Sequence, residues 1–517
     1  MIILQIFILK LTIHPKAGNL AGIHTVPGGA FQLLLYLGLG FLLLLMKDFN
    51  PVWQTLIRYA RPYRWWRAIV PQLGAYILII YFSSKIFLLE FPFLAGTDGE
   101  SKAWWALLLA ISILAAAGLS LLMIAPASYW RRFLREERYA LLLAPAFPLC
   151  HLLVFFLAEN FDDFLSKPTI NIAGFILRAF YENVRIDMPN RMLGISDFSV
   201  IIDGMCSGYE GIGMMLVFIT WYLATHRKDL RFPAALLLLP LGAVLIWLSN
   251  CLRIAALVAI GSSFSSDVAM EGFHVNAGWI CFIAVSLLMM TIAGNSRSIC
   301  KTPATHHLAI DSGNALAIPF LVMLAATLLS SAISTSFPWL YPVRILATGI
   351  AISVLWKHFA FKMFSGAPFA ILAGAIVFIL WIVLVPSPAE ENKKFYETLF
   401  SAPPLVAIGW IATRLLGAIL IVPIAEELAF RAYIPALLDD ARNGERNTGK
   451  FQWLPFLASS TAFGMLHTAW LAGTIAGAAY YVVKLWNGRL SDAIVAHMTT
   501  NLLLSCYILA FGQWSYW

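Results

Sequence analysis

Charge is scarce in this chain. Of its 517 residues, 12% are Asp, Glu, Lys or Arg, while 60% are hydrophobic. That balance excludes a water-soluble fold, and apolar runs long enough to cross a bilayer recur from one end to the other. Paired cysteines are missing too. Cys150, Cys206, Cys251, Cys281, Cys300 and Cys506 are scattered, mostly inside apolar runs, so neither a disulfide framework nor a CxxC metal site is suggested. No basic stripe with interleaved aromatics occurs. The net charge of +8 sits in short loops and points to membrane orientation, not to nucleic acid. The apolar run 1–9 is short for a span and lacks a cleavage-site pattern, so it is not read as a removable signal peptide. No internal repeat relates the two halves. What remains is an all-α multipass membrane protein, of a length that suits two helical transmembrane units better than one.

The apolar pattern predicts spans at 31–46, 66–89, 103–124, 140–157, 214–224 and 233 to about 260, then one opening at His274. After a polar linker, further spans are expected at 315–331, 343–359, 368–385 and 405–422. Basic segments at 58–67 (RYARPYRWWR), 129–139 (YWRRFLREERY) and 226–231 (HRKDLR) are placed in the cytoplasm. The polar interval 158–203 is then extracytoplasmic. Within it, the alternation in Val184-Arg-Ile-Asp-Met188 and in Phe198-Ser-Val-Ile201 predicts a small hairpin with a turn near Pro189-Asn190. Stretches 261–272 and 386–403 are expected as outer loops, and 439–450 as a polar cytoplasmic loop. The expected organisation is an N-terminal transmembrane region (1–100), a first membrane domain (101–296), a cytoplasmic linker (297–313) and a second membrane domain (314–517).

Two groups of residues carry chemistry. Asp203-Gly-Met-Cys206-Ser-Gly leads into the span at 214; a helix beginning near Cys206 would set the thiol beside unsatisfied N–H groups and favour a thiolate. Taken alone, such a cysteine is more often a small apolar residue. Arg253, in Asn250-Cys-Leu-Arg-Ile, is costly in a membrane helix unless it is paired, faces a cavity or snorkels to the interface. His274 opens the following span on the side where Cys206 begins its own. In the second half, Glu426 and Glu427 are adjacent. Glu427 and Arg431, four apart, share a helix face and can pair, which leaves Glu426 free to titrate. Phe463 and His467 share a face, as do His497 and Asn501, and the small residues of 473–481 suit tight helix packing.

The segments around Cys206, Asn250–Arg253 and His274-Val-Asn-Ala-Gly278-Trp279 resemble the three motifs of the exosortases, with Tyr209-Glu210 standing where most members have Leu-Arg. Glu426-Glu427-x-x-x-Arg431, Phe463-x-x-x-His467 and His497-x-x-x-Asn501 resemble those of the CPBP family (CAAX prenyl protease and bacteriocin-processing), which are intramembrane glutamic proteases. The order of the two is similar to the exosortase E/protease fusion of VPEID-CTERM systems.

The resemblance implies a cysteine transpeptidase or protease that cleaves C-terminal sorting signals of exported proteins, joined to an intramembrane endopeptidase. Cys206 would be the nucleophile, Arg253 would hold the thiolate or oxyanion, and His274 would shuttle the proton. Glu426 would be general base on a water, helped by His467; His497 and Asn501 would donate to the oxyanion, and Glu427 would hold Arg431. No cofactor and no metal is implied, although Glu426, His467 and His497 as zinc ligands stand as a rival reading. The expected partners are exported substrates with a C-terminal sorting tail and the lipid bilayer, with no nucleic acid; the expected location is the bacterial inner membrane. An ion- or proton-coupled transporter is the alternative from another class, and it predicts repeat symmetry and no need for Cys206. A single active half with the other half binding substrate is the third reading.

Overall fold

The structure, a computed structural model, describes residues 55–56, 58–59, 63–87, 102–138, 141, 145–301, 312–335, 337–359, 367–443 and 451–517. The expected span at 31–46, most of the linker and part of the loop 439–450 lie outside these residues. Among the described residues, seven helices are long and apolar enough to cross a membrane, or eight if a bent pair counts as one span. The protein is an all-α multipass membrane protein.

The chain divides by internal contacts into units 1–154 and 155–517. In the first, α1 (Ile69–Phe87) packs on α2 (Lys102–Ile124) through Ala75, Tyr76, Ile79 and Ala116. Gln72 donates to Ser120 Oγ (3.0 Å), so a polar group inside this pair keeps a partner. Helix α3 (Ala127–Glu136) carries the basic segment and is strongly amphipathic, with Tyr129 buried. Helix α4 (Ala146–Asn160) follows.

The second unit opens with a difference from expectation. The interval 158–203 is not mainly loop: it holds α5 (Asp162–Arg178) and then three strands, β1 (Val184–Asp187), β2 (Met192–Ile195) and β3 (Phe198–Ile201). Asp162, Asp163 and Lys167 mask an apolar stripe in α5 at Ile170, Ala173 and Leu177. The sheet order is β1-β2-β3, all antiparallel, so the expected hairpin is a three-stranded meander. Its middle strand is hard to read from sequence because Gly194 interrupts the alternation. Glycine is needed there, since an added Cβ would lie 2.6 Å from Ser199 Cβ. Leu193 and Ile195 pack with the α5 stripe and with Ile254, Ala255 and Val258 of α7 (Leu238–Ser263), which pins the sheet onto that helix.

Helices α6 (Glu210–Thr225), α7 and α8 (His274–Asn295) pack through Met215, Ile219, Leu238, Ile246, Val285 and Met289. The expected outer loop 261–272 is largely helical: α7 runs to Ser263, and a π-helical turn (Val268–Phe273) leads straight into α8. Gly272 sits against the end of α9 (Ile318–Ala332), where an added Cβ would overlap the Ser334 carbonyl oxygen. Helices α10 (Tyr341–Leu355) and α11 (Ala367–Leu384) follow.

The stretch 386–403 is also not a loop. It forms α12 (Ala389–Phe400), bent 109° from α11. Its charges face out, while Phe395 and Leu399 pack with Trp410 and Trp514. Residues 404–438 form one apolar run: α13 (Pro404–Leu416), a π turn (Gly417–Ile421), α14 (Val422–Glu427), a second π turn (Leu428–Tyr433) and the start of α15 (Ile434–Asn443). Helices α16 (Trp453–Met465), α17 (Trp470–Asn487) and α18 (Leu490–Phe511) complete the unit. Helices α16 and α17 approach closely, as the small residues of 473–481 predict: a Cβ on Gly473 would stand 3.0 Å from Gly464 Cα.

Candidate functional site

Cys206 lies in a π-helical turn (Met205–Tyr209) that joins β3 to α6. Several side chains hold this turn from below. Thr169 of α5 donates to the Ser207 carbonyl (2.9 Å), Trp247 of α7 donates to Thr169 (2.9 Å), and Asn250 donates to the Cys206 carbonyl (3.0 Å). Gly208 adopts φ 117°, a conformation open to glycine, and a Cβ there would press on Trp247 at 3.0 Å. Trp247, Asn250 and Arg253 follow at three-residue steps on one face of α7, so a single helix face holds the turn and delivers the guanidinium.

Cys206, Arg253 and His274 come together. They line one cavity of about 360 Å³ with Glu210, Asn250, Gly278 and Trp279. Gly278, one turn beyond His274, leaves room for Arg253: a Cβ there would be 3.0 Å from its Nη1. Arg253 Nε and His274 Nδ1 are buried without a hydrogen-bond partner among the described residues. Buried donors and acceptors left open in this way are poised for a ligand.

One expectation is corrected here. The start of the helix does not favour a thiolate. Asp203 accepts from the Cys206 N–H (2.9 Å), so a carboxylate takes the place the thiolate would need. Burial, then Asp203, push the thiol up to about 11, against the downward pull of Arg253. Asp203, Asn250, Thr169, Trp247 and Gly278 therefore support the site without having been expected as part of it. Asp203, Asn250 and Gly278 lie within the three motif segments. Thr169 carries no sequence signal, because it sits 38 residues upstream of its partner in a stretch that looks like a loop.

The second group gathers around His497. Its Nδ1 lies 3.0 Å from Glu427 Oε1, and its Nε2 lies 3.8 Å from Glu426 Oε2. Adjacent carboxylates on α14 thus face the two nitrogens of one ring. The ring is fixed by stacking on Tyr480 (4.7 Å between centroids) and by the edge of Phe463. Glu427 also pairs with Arg431 Nε at 3.1 Å, as the four-residue spacing predicts, and both side chains are fully buried. Arg431 donates to the Gly477 carbonyl (3.1 Å) and lies over Phe463, 4.3 Å from its centroid. Lys484 donates to the Arg431 carbonyl.

His497 and Asn501 do share a face, but each turns to the 404–438 run instead of to the other. Asn501 donates to the Ala418 carbonyl (2.7 Å), which the first π turn presents to α18. His467 is anchored by Nδ1 to the Phe463 carbonyl (2.9 Å) and lies against Trp381. Among the described residues it makes no hydrogen bond to Glu426. No group of three His, Cys, Asp or Glu among the described residues is arranged to hold a metal ion.

Residues 31–291 match the family model of the transmembrane exosortases. Residues 408–503 match that of the type II CAAX prenyl endopeptidases, Rce1-like. The first match contains Cys206, Arg253 and His274; the second contains Glu426, Glu427, Arg431, His467, His497 and Asn501. Both families are peptidases or transpeptidases of membranes. No curated protein and no solved structure matches the chain.

Proposed function

This chain belongs to the transmembrane exosortase family, and from that premise we propose that it cleaves the C-terminal sorting tails of exported proteins at Cys206 and carries a separate glutamic endopeptidase site at Glu426. The enzyme works in the bacterial inner membrane. Its substrates end in a short motif, a transmembrane helix and a basic end. The observation that carries this reading is the single cavity lined by Cys206, Arg253 and His274.

At rest Cys206 is a thiol. When the scissile peptide enters, the thiol proton passes to His274 and the sulfur attacks the carbonyl carbon. Arg253, with Nε unengaged, receives the developing oxyanion. His274 returns the proton to the leaving amine, and a thioester to Cys206 remains. At the second site Glu426 takes a proton from a water molecule, which attacks the substrate carbonyl. His497 passes protons and orients Glu426, while Glu427 and Arg431 hold His497 and the helix. No covalent intermediate forms there.

The test is direct capture of the acyl-enzyme. Acid quenching of turnover followed by mass analysis should find the substrate fragment on Cys206 in a bond that hydroxylamine releases. Turnover with no adduct on Cys206 at any time point would remove the covalent step.

A further inference from the structure

The cavity is lined by a carboxylate that the cleavage half-reaction does not use. Glu210, in the first turn of α6, lines it beside Cys206, Arg253, His274 and Trp279. It makes no ion pair with Arg253 among the described residues. Its charge reaches the sulfur: after burial and Asp203, it is a further cause that pushes the Cys206 thiol up. Asp203 accepts from the Cys206 N–H. Two carboxylates, Asp203 and Glu210, and one cation, Arg253, act on the sulfur, a balance of one negative charge around it. In the first half-reaction this charge only opposes the thiolate.

After acylation the balance changes. The sulfur is a neutral thioester, and the tail with its leaving amine has gone. The thiolate and oxyanion that Arg253 would hold are gone, while Glu210 lines the cavity and Asp203 stays bonded at the Cys206 N–H. Such a site attracts a cation and repels an anion. Val275 and Trp279 on α8 line the same cavity and are exposed.

We propose that Glu210 is a specificity-determining residue that receives the ammonium group of a primary-amine acceptor, so that the Cys206 thioester is resolved by transfer to an amine in preference to hydrolysis. This rests on Cys206 being the nucleophile. The ammonium, held by Glu210, gives one proton to His274 and becomes a free amine. Its nitrogen attacks the thioester carbonyl, the C–N bond forms, and the C–S bond breaks with its electron pair on sulfur. The nitrogen sheds a second proton to that sulfur, which restores the thiol. An amide has formed, and His274 releases its proton to water.

The experiment compares two nucleophiles within each enzyme preparation, so that losses in folding cancel. Ethylamine is a cation at pH 7.5 and must be recognised; hydroxylamine is neutral there and attacks any accessible thioester. Membranes bearing the full-length enzyme receive a tagged tail-bearing substrate and either nucleophile, and the amide and hydroxamate products are weighed by mass spectrometry. The ethylamine-to-hydroxylamine product ratio should fall at least about fivefold in Glu210→Gln, the scale of a partly exposed ion pair, and Glu210→Asp should restore most of it. Ethanolamine vesicle lipid and soluble ethylamine, run side by side, report whether a lipid headgroup or a free amine is the better acceptor. An unchanged ratio in Glu210→Gln overturns the inference. Absence of hydroxamate from the unaltered enzyme overturns the thioester itself, a distinct failure.

Discussion

A carboxylate beside Cys206 is the residue-scale feature with the clearest consequence. Asp203 holds the Cys206 N–H and helps to keep the sulfur protonated. Alkylation of Cys206 by iodoacetamide should therefore be slow at neutral pH and climb as pH rises toward about 11. Asp203→Asn keeps the hydrogen-bond acceptor and removes the charge, so its alkylation profile should move to lower pH; coincident profiles would show that Asp203 does not set the thiol. The neighbouring glutamates offer a second contrast. Glu427 is fully buried between Arg431 and His497, so Glu427→Gln leaves a buried cation unpaired and should cost about 3–5 kcal/mol of stability, read by urea unfolding. Glu426 has only the longer approach to His497, so Glu426→Gln should abolish second-site proteolysis while shifting stability far less. Strong chelators should leave that proteolysis intact; loss that zinc restores would reverse the assignment. That Cys206, Arg253 and His274 meet, and that Glu427 pairs with Arg431, was legible from residue type and from the four-residue spacing. Their supports were legible only where they fell within the same segments. Asn250 did and Thr169 did not, since a hydrogen bond across 38 residues leaves no local pattern.

At the scale of elements, helix α18 carries His497, and its position depends on a glycine of another helix. Gly374 of α11 faces the Ala496 carbonyl, where an added Cβ would overlap it and would stand 2.8 Å from Thr499 Cβ. Thr500 ties the same two helices by donating to the Gly374 carbonyl (2.9 Å). Gly374→Ala should push α18 away, cost about 1–3 kcal/mol and lower second-site activity, as seen in thermal unfolding and peptide cleavage. Unaltered unfolding and cleavage would mean that this packing does not set His497. Among the described residues most long apolar elements were legible, because length and composition define them, but the span Leu490–Phe511 was not set out and 405–422 fell short of the run Pro404–Leu438. Short amphipathic ones were not. The polar face of α5 hid Ile170, Ala173 and Leu177, and the charges of α12 hid Leu399 and Phe395. The middle strand was lost to Gly194, the residue its close pairing requires.

At the scale of the molecule, the Cys206 cavity is lined from α6, α7 and α8, and Glu426 lies on α14. Gly272, two residues before His274, meets the end of α9 at Ser334. Helix α10 runs 15 residues, about 20 Å, from Tyr341 to Leu355. Leu355 packs with Ala425 and Leu428, the neighbours of Glu426. The proposed chemistries differ, a thioester at Cys206 and a non-covalent adduct at Glu426, so each site is expected to act on its own scissile bond. The most direct measurement is the size of a tagged, tail-bearing substrate on a gel, in cells expressing Cys206→Ala or Glu426→Gln at matched levels. The account predicts that Cys206→Ala leaves the tail attached and that Glu426→Gln removes it nearly as the unaltered enzyme does. Tail removal by Cys206→Ala, or equal loss in both variants, would contradict it.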